Sequence, residues 1–528
     1  MISRISRRLN DTDPSILFLA VAVLVGGTIR LYGVLQSNFP INDGGLFYTM
    51  IKDLMANGYR LPVTTSYNHL DLPFAYPPLF LYLTGFLADL TSWSLLNIIR
   101  IQPAIFTVLA IPAFYLLASV LLKDKVQAVL ATYIFTFIPA SFDWLIMGGG
   151  LTRSPAFFLA LLALSFIYRL YTQSRKRDIL WVTLFSSLTI LSHPETGLHT
   201  AASAVVFLLF FGRNKKGLLK SLLVAGLILV VTAPWWGTIL VHNGITPFIA
   251  AGKTGVYSVA GILQIFQSDI THEAGLQIIG ALALIGLFWQ LAERKYFVPV
   301  WALVIFFSEP RSAPLFLCPC VAIIASSALV GIMQIFNRKT IPSLAVGSES
   351  HPLSGRVSQV FFILLSVFWI ISSMGTNFAL LNTTTLTNSD KNAFDWIKNN
   401  TSNQSKFLVL TGNAPLNDPV SEWFPALTGR TSVATVQGHE WDVKNSFEVL
   451  LSQSVNVQKC ISQTFQCVEG WAEDNHTIFD YVYIHNPVLQ KDPQTGTLFS
   501  SALGDLSVSQ GYTDLVYQND AVSIYKLK

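Results

Sequence analysis

Charge is what this sequence has least of. Of its 528 residues, 34 are Lys or Arg and 30 are Asp or Glu, 12% in all, about half the roughly 25% of an ordinary soluble domain. Hydrophobic residues make up 52%, and the mean hydropathy is +0.50. So little charge on so apolar a chain excludes a soluble enzyme and a disordered protein. Cysteine is scarce as well. Four residues in a chain of this length exclude a disulfide-stapled secreted scaffold. No internal repeat or low-complexity tract is present. What remains is a polytopic membrane protein, and nothing in it points to nucleic acid.

The charge that is present is unevenly placed. Residues 380–528 hold 9 Lys/Arg against 15 Asp/Glu, a net −6, which leaves 25 against 15, a net +10, on residues 1–379. The first part is apolar with basic loops. The second has the composition of a water-soluble domain of ordinary size. The start "MISRISRRLNDTDP" is basic, but the apolar run behind it is long enough to span, so no cleavable signal peptide is read there.

A spanning helix needs about 20 apolar residues. Eleven runs qualify or nearly do: 15–35, 97–122, 126–146, 154–172, 179–193, 196–212, 218–240, 274–291, 296–308, 313–336 and 358–378. Basic loops stay on the cytoplasmic side. With these eleven spans, Arg4/Arg7/Arg8, Lys123/Lys125, Arg175/Lys176/Arg177, Arg213/Lys215/Lys216, Arg294/Lys295 and Arg338/Lys339 all fall inside. A full span at 76–91 would flip every later cluster, so that run reads as a short helix in the outer interface. The outer side then holds the long first loop 36–96 and the whole tail from 379. The tail alternates β-type runs ("KFLVLT", "TSVATV", "DYVYIH", "TDLVYQ", "AVSIYKL") with helical stretches, which reads as a small α/β domain. Ser389 or Asp390 is placed to cap its first helix. Cys460 and Cys467 lie in that tail, where oxidation is allowed, and the sequence leaves open whether they form a disulfide closing a small loop or stay free thiols. Cys318 and Cys320 read as packing residues.

Candidate chemistry collects at the outer boundary. Asp43 precedes an amphipathic stretch in which Phe47, Ile51, Leu54 and Met55 share one helical face and Gly58 is a stop. Its type and place suit an N-cap, and equally a carboxylate held at the water–lipid boundary. The same loop carries His69, Asp71 and "FAYPPLFLYL", whose double proline starts a helix. Arg153 follows three glycines in "GGGLTRSP", where backbone N–H groups can approach an anion. Arg311 interrupts two apolar runs in "FFSEPRSAPLF", at the depth of a lipid head group. Lys253 is a weaker cation. Asp143 precedes "WLIMGGG". In "LSHPETGLH", His193, Glu195 and His199 either line a polar cavity or mark a helix restart with Ser192 as cap. "DITHEAG" (His272, Glu273) reads as a helix start too. None of these has zinc-signature spacing.

Taken in order, a basic N-terminus, one span, an Asp-bearing outer loop, "YPPLFLYL" and a C-terminal outer domain resemble the polyprenyl-phosphate-dependent membrane glycosyltransferases of the GT-C fold, such as protein O-mannosyltransferases and lipid A aminoarabinose transferases. "EWFPALTGRTSVATVQGHEWD" in the tail also looks like a segment of that superfamily. The resemblance implies many spans and a C-terminal outer domain, which the eleven apolar runs and the charge split place here as a transmembrane unit at 1–379 and an extracytoplasmic α/β domain at 380–528. It implies transfer of a sugar from a polyprenyl-phosphate donor to a lipid, glycan or protein acceptor, in a cell membrane and among its lipids. It makes Asp43 the base that takes the acceptor's proton; by their place at the outer boundary, Arg311 and Arg153 are the candidates for the donor phosphate, and His69, Asp71, Asp143, His193 and Glu195 for lining the cavity. Asp43 stands with Tyr48 but without the more usual neighbouring Glu, so a divalent metal is not indicated and no metal ligand is assigned. An oligosaccharyltransferase would carry Trp-Trp-Asp in the tail, where the nearest strings are "WWG" at 235–237 and "EWDV" at 440–443. A transporter would place ionisable residues at the membrane midplane. A non-catalytic subunit of the same fold is the third alternative.

Reporter fusions at residue 379 and at the C-terminus test the topology. Both are expected to report an extracytoplasmic location, and a cytoplasmic signal from either overturns it.

Overall fold

The computed structural model describes residues 14–173, 175–254, 270–310, 312–340, 352–442, 447–485, 511 and 513–528. Arg311 lies outside the described residues. The chain opens with helix α1 (Pro14–Gln36), α2 (Gly45–Ala56), a two-stranded ribbon of β1 (Thr64–Thr65) and β2 (Leu72–Pro73), and α3 (Leu79–Leu90). A helical body follows: α4 (Leu95–Leu121), α5 (Lys125–Phe137), α6 (Gly150–Thr172), α7 (Lys176–Ser192), α8 (Pro194–Phe211), α9 (Lys215–Asn243), α10 (Thr246–Gly252), α11 (Ile278–Ala292), α12 (Phe297–Ser308), α13 (Ala313–Thr340) and α14 (Arg356–Thr383).

Seven described helices, α1, α4, α6, α8, α9, α13 and α14, are long and apolar enough to cross a membrane. The other four apolar runs of the sequence fall in α5, α7, α11 and α12, of 13, 17, 15 and 12 residues. The run at 76–91 forms only the 12-residue α3. Helix α6 is central, packed on α4, α7 and α8; α6 and α13 are the most buried of the seven. Cys318 and Cys320 are buried in α13 and form no disulfide; Cys318 Sγ donates to the Pro314 carbonyl at 3.2 Å.

The antiparallel path sorts the loops. Those that carry Asp43, Ala75, Asp143, His193, His272 and Ser312 meet one another or the C-terminal domain at one end of the helices. The turns at 122–125, 173–176, 212–215 and 293–296, with their basic residues, lie a helix length away at the other end. The basic clusters are thus kept to the end opposite the polar loops.

Helix α2 does not leave its apolar face for lipid. Met50, Ile51 and Leu54 are buried against Phe74, Leu81, Ile99 and Leu151, and α16 (Pro419–Thr428) of the C-terminal domain packs on the helix as well.

The C-terminal domain also contains α15 (Asn388–Asn400), α17 (Phe447–Gln458), α18 (Phe465–Asp474) and a five-stranded mixed sheet. The strands are β3 (Lys406–Leu410), β4 (Thr431–Ser432), β5 (Tyr481–His485), β6 (Thr513–Gln518) and β7 (Val522–Leu527), in the order β4-β3-β5-β7-β6. Strands β3, β4 and β5 are parallel, and β7 pairs antiparallel with β5 and β6. Each β-type run of the tail contributes a strand, although of "TSVATV" only Thr431–Ser432 pairs and the rest turns away, and Asn519–Asp520 turns the final hairpin. The alternation along β3 is the two-residue period of a strand buried on both faces. Phe407 and Val409 meet Phe394, Trp423 and Phe424 on one side; Leu408 and Leu410 meet Val457, Phe465 and Val468 on the other. The cap of α15 is Thr387, with Asp390 at the third position closing a capping box, rather than Ser389 or Asp390 as cap.

Cys460 and Cys467 are bonded to each other, seven positions apart, and Cys460 is buried against the sheet. A bridge over so short a loop removes little unfolded-state entropy. Replacing both cysteines by serine is expected to lower the domain's stability by about 2 kcal/mol, read as faster limited proteolysis of the C-terminal domain in the intact chain.

Candidate active site

The loop from α1 to α2 runs through a backbone conformation that few residues accept. Asn42 (φ 53°) and Gly44 (φ 118°) are both left-handed, with Asp43 between them. The loop is held on every side. The Gly148 N–H donates to the Ile41 carbonyl at 2.8 Å, and the Asn42 N–H donates to the Thr384 carbonyl at 2.7 Å. The Trp423 indole donates to the Asn42 carbonyl at 2.9 Å.

Asp43 does not cap the helix that follows it. The N-cap of α2 is Gly44, with no side-chain bond of its own. The Asp43 carboxylate turns to the start of α6 instead. Its Oδ1 accepts the Gly149 N–H at 2.7 Å, and its Oδ2 accepts from Arg153 Nη2 at 2.6 Å. A carboxylate is well placed at the positive end of a helix dipole, so the capping chemistry read from the sequence is real but serves a different helix. The glycines make the approach possible. A Cβ on Gly148 would lie 1.9 Å from the Asp43 carbonyl oxygen, and one on Gly149 would lie 2.3 Å from Oδ2. The anion received by "GGG" is therefore the protein's own carboxylate.

Arg153 lies over the Trp144 ring, 4.4 Å from its centroid. Of its five N–H donors, the described hydrogen bonds use only one, and Nε is buried without a partner. Tyr76 closes the site from the "YPPL" segment. Its hydroxyl meets the Thr152 hydroxyl at 3.0 Å, and its ring packs on Phe47 and Trp441. Burial pushes the Tyr76 hydroxyl well above its ordinary range, so it stays neutral.

A second carboxyl group arrives from the C-terminal domain. Glu422, in the first turn of α16, is 5% exposed. Its Oε1 accepts the Gly44 N–H at 2.8 Å. Burial, and then the charge of Asp43, push Glu422 up to about 8. Neither Glu422 nor Tyr76 was singled out from the sequence, although both lie in strings the sequence marks, "EWFPALTG" and "YPPLFLYL".

The remaining candidates divide. Asp143 sits one residue before Trp144, bonded to His272 and to the Trp144 N–H at 2.6 Å. His193 is the N-cap of α8, its Nδ1 accepting the Thr196 N–H at 3.2 Å, so the helix restart stands with His193 in the place expected of Ser192. Its ring lies 6.3 Å from that of Tyr76, and Glu195 is in the first turn beside it. Glu273 takes the Ile279 N–H at 2.9 Å and the Gly280 N–H at 3.1 Å, the start of α11. His199 Nε2 meets the Ser312 hydroxyl at 3.0 Å. His69 is elsewhere. It is exposed, reaches Thr431 at 3.3 Å, and helps line a cavity of about 280 Å³ between α2 and α16 with Lys52 and Asp53. Asp71 is exposed and left-handed (φ 49°), with no described contact to the Asp43 cluster. Lys253 is exposed after α10. Tyr48 packs on Trp423 rather than on Asp43. Among the described residues no group of three or more His, Cys, Asp or Glu could hold a metal ion.

The chemistry available is a carboxylate with free lone pairs, a guanidinium with unspent donors beside it, and a neutral phenol. Gly149→Ala is expected to separate Asp43 from Arg153 and to lower stability by about 1–3 kcal/mol through overpacking, measured by thermal unfolding in detergent.

A family model described as dolichyl-phosphate-mannose-protein mannosyltransferase matches residues 75–237. The matched stretch includes Tyr76, Arg153 and His193 but neither Asp43 nor the C-terminal domain. No curated protein sequence matches the chain. Among solved structures, the oligosaccharyltransferase AglB from Archaeoglobus fulgidus, in complex with an inhibitory peptide and a dolichol-phosphate, is 15% identical with a TM-score of 0.54, over 89% of this chain and 69% of its own. ArnT from Cupriavidus metallidurans, bound to undecaprenyl phosphate, is 17% identical with a TM-score of 0.53, over 97% of each chain. The arabinofuranosyltransferase AftD from Mycobacteria is 14% identical with a TM-score of 0.50, over 96% of this chain and 40% of its own. The chain has the GT-C fold of polyprenyl-phosphate-dependent membrane glycosyltransferases.

Proposed function

We propose that this chain is an integral membrane glycosyltransferase that moves a hexose from a polyprenyl-phosphate donor to an acceptor hydroxyl on the outer face of the membrane, with inversion and with Asp43 as general base. One observation carries the reading. The Asp43 carboxylate is held, partly accessible, where the first loop, the start of α6 and the C-terminal domain meet, with Arg153 at 2.6 Å.

An inverting transfer needs one carboxylate on the acceptor side. Each Asp43 oxygen uses one lone pair within the protein and keeps another for the acceptor O–H. The leaving group is a lipid phosphate, already a good one, so no strong acid is required. It does require cations. Arg153 spends one donor on Asp43, and the others suit a phosphate oxygen, so a single guanidinium would span base and leaving group. Arg311 is the second phosphate ligand in this proposal, on the strength of its place in the chain between Glu309 and Ser312, which reaches His199. Asp143, His193 and Glu195 line the polar rim, the C-terminal domain is extracytoplasmic and helps close the site, and His69 and Asp71, which have no described contact with the Asp43 cluster, take no part in this reading. AglB and ArnT were each solved with a polyprenyl phosphate, which supports the donor class. Trp235 and Trp236 lie within α9 and the tail offers only Glu440–Trp441–Asp442, which favours single-sugar transfer over transfer of an oligosaccharide.

Asp43→Asn keeps an oxygen for the Gly149 N–H and removes the basic carboxylate. It is expected to fold and to bind undecaprenyl phosphate, while transfer falls by about 10²–10⁴. The measurement is release of undecaprenyl phosphate from undecaprenyl-phosphate hexoses by the purified protein with membrane extract as acceptor, with thermal stability run in parallel. Full activity in this variant rejects the assignment.

A further inference from the structure

Glu422 has no part in the reaction proposed above, yet its side chain leaves its own domain. Oε1 reaches the first amides of α2, Gly44 N–H at 2.8 Å and Leu46 N–H at 3.5 Å. These are donors that no turn of the helix can satisfy, and Gly44 brings no cap of its own. The Glu422 backbone is engaged at the same place. Its carbonyl accepts the Tyr67 hydroxyl at 2.8 Å and lies 2.6 Å from where a Cβ on Gly45 would be. The next residue, Trp423, bonds the Asn42 carbonyl at 2.9 Å. Two consecutive residues of the C-terminal domain thus grip the two left-handed residues that flank Asp43.

We infer that Glu422 is a positioning residue for Asp43: a carboxyl group lent by the C-terminal domain that caps α2 and, with the Trp423 indole, holds the backbone from which the base projects. This rests on the role proposed for Asp43. It makes catalysis depend on the docking of the C-terminal domain, whatever acceptor that domain binds.

The groups facing Glu422 are Asp43 from the loop before α2, Tyr67 from the loop after it, and Glu440 from the turn at His439–Trp441. Both acids disfavour its ionisation, after burial. An acid raised from 4.5 to about 8 binds its proton more tightly in the folded state. The stability it contributes is full below about pH 4.5, is lost progressively as pH rises toward 8, and stays lost above that. The junction is therefore expected to loosen over that window.

The test compares the full-length wild type with Glu422→Gln and Glu422→Ala in lipid nanodiscs. It reads amide-exchange protection of residues 42–48, binding of undecaprenyl phosphate, and its release from an undecaprenyl-phosphate hexose. Ala is expected to lower protection about tenfold and turnover about 10²-fold through misplacement of the base, with undecaprenyl phosphate binding unchanged. Gln keeps the accepting oxygen, so it is expected to retain protection and most turnover and to lose the pH dependence of protection between pH 4.5 and 8. Wild-type protection and turnover in the Ala variant overturn the inference. If Ala does not fold, the pH series decides, and a Gln variant that loosens with pH as the wild type does overturns it. An inactive Asp43→Asn beside a fully active Glu422→Ala removes only the inference. An active Asp43→Asn removes the base and leaves Glu422 to be judged on exchange alone.

Discussion

Two stretches of backbone, 41–44 and 148–149, touch with no side chain between them, and the rest of the site is arranged around that contact. Glycine at 148 and 149 is the only residue type that leaves room for the Asp43 carbonyl and carboxylate. Because the contact is this close, an N–H at the start of α6 reaches the carboxylate, and the Arg153 guanidinium comes with it from the first turn. The first loop is thereby tied to the most buried part of the helical body. A site carried on a loop inherits the rigidity of α6.

The same contact explains why a soluble-type domain is part of a membrane protein's site. The loop residues on either side of Asp43 are left-handed, a conformation that persists only when surroundings over-determine it. The helical body supplies two of the restraining bonds, to Ile41 and Asn42. The C-terminal domain supplies the others through Glu422 and Trp423. It also exchanges two side-chain-to-backbone bonds between Asn68 and Ser432. The domain is docked on the first loop from Phe39 to Tyr76, and where α2 meets α16 the contact combines the Glu422 cap with the Tyr48–Trp423 ring contact.

The separation of charge has one cause at two scales. Basic residues gather at the turns at the end opposite the site, the one-sided bias that short loops of a multi-span protein carry. The acids and polar groups of the loops gather at the other end, where the chain meets a hydrophilic domain. Within that second group, side chains were distinguishable only by their partners. His193, Glu273 and Thr387 all start helices, so polar residues that resemble a cavity lining are in good part the termini of the helices that form it.

Much of this was legible in the sequence because it depends on local composition and period. Low charge and long apolar runs require a helical membrane body; the near-continuous apolar runs of β3 and β5 suit strands covered on both faces; Cys460 and Cys467 are close enough in sequence to bond. The fold resemblance followed from the order of such local features. The partners of the site residues were not legible. That Asp43 serves α6 rather than α2, that Glu422 caps α2 from nearly four hundred residues away, and that His69 faces a separate cavity are all consequences of which surfaces pack together. Local spacing states what a residue is able to do: a carboxylate can cap, accept a proton or pair with a cation. Only the tertiary structure decides which, because the choice is made by distance and burial, and both are set by the close approach of chain segments that the sequence keeps far apart.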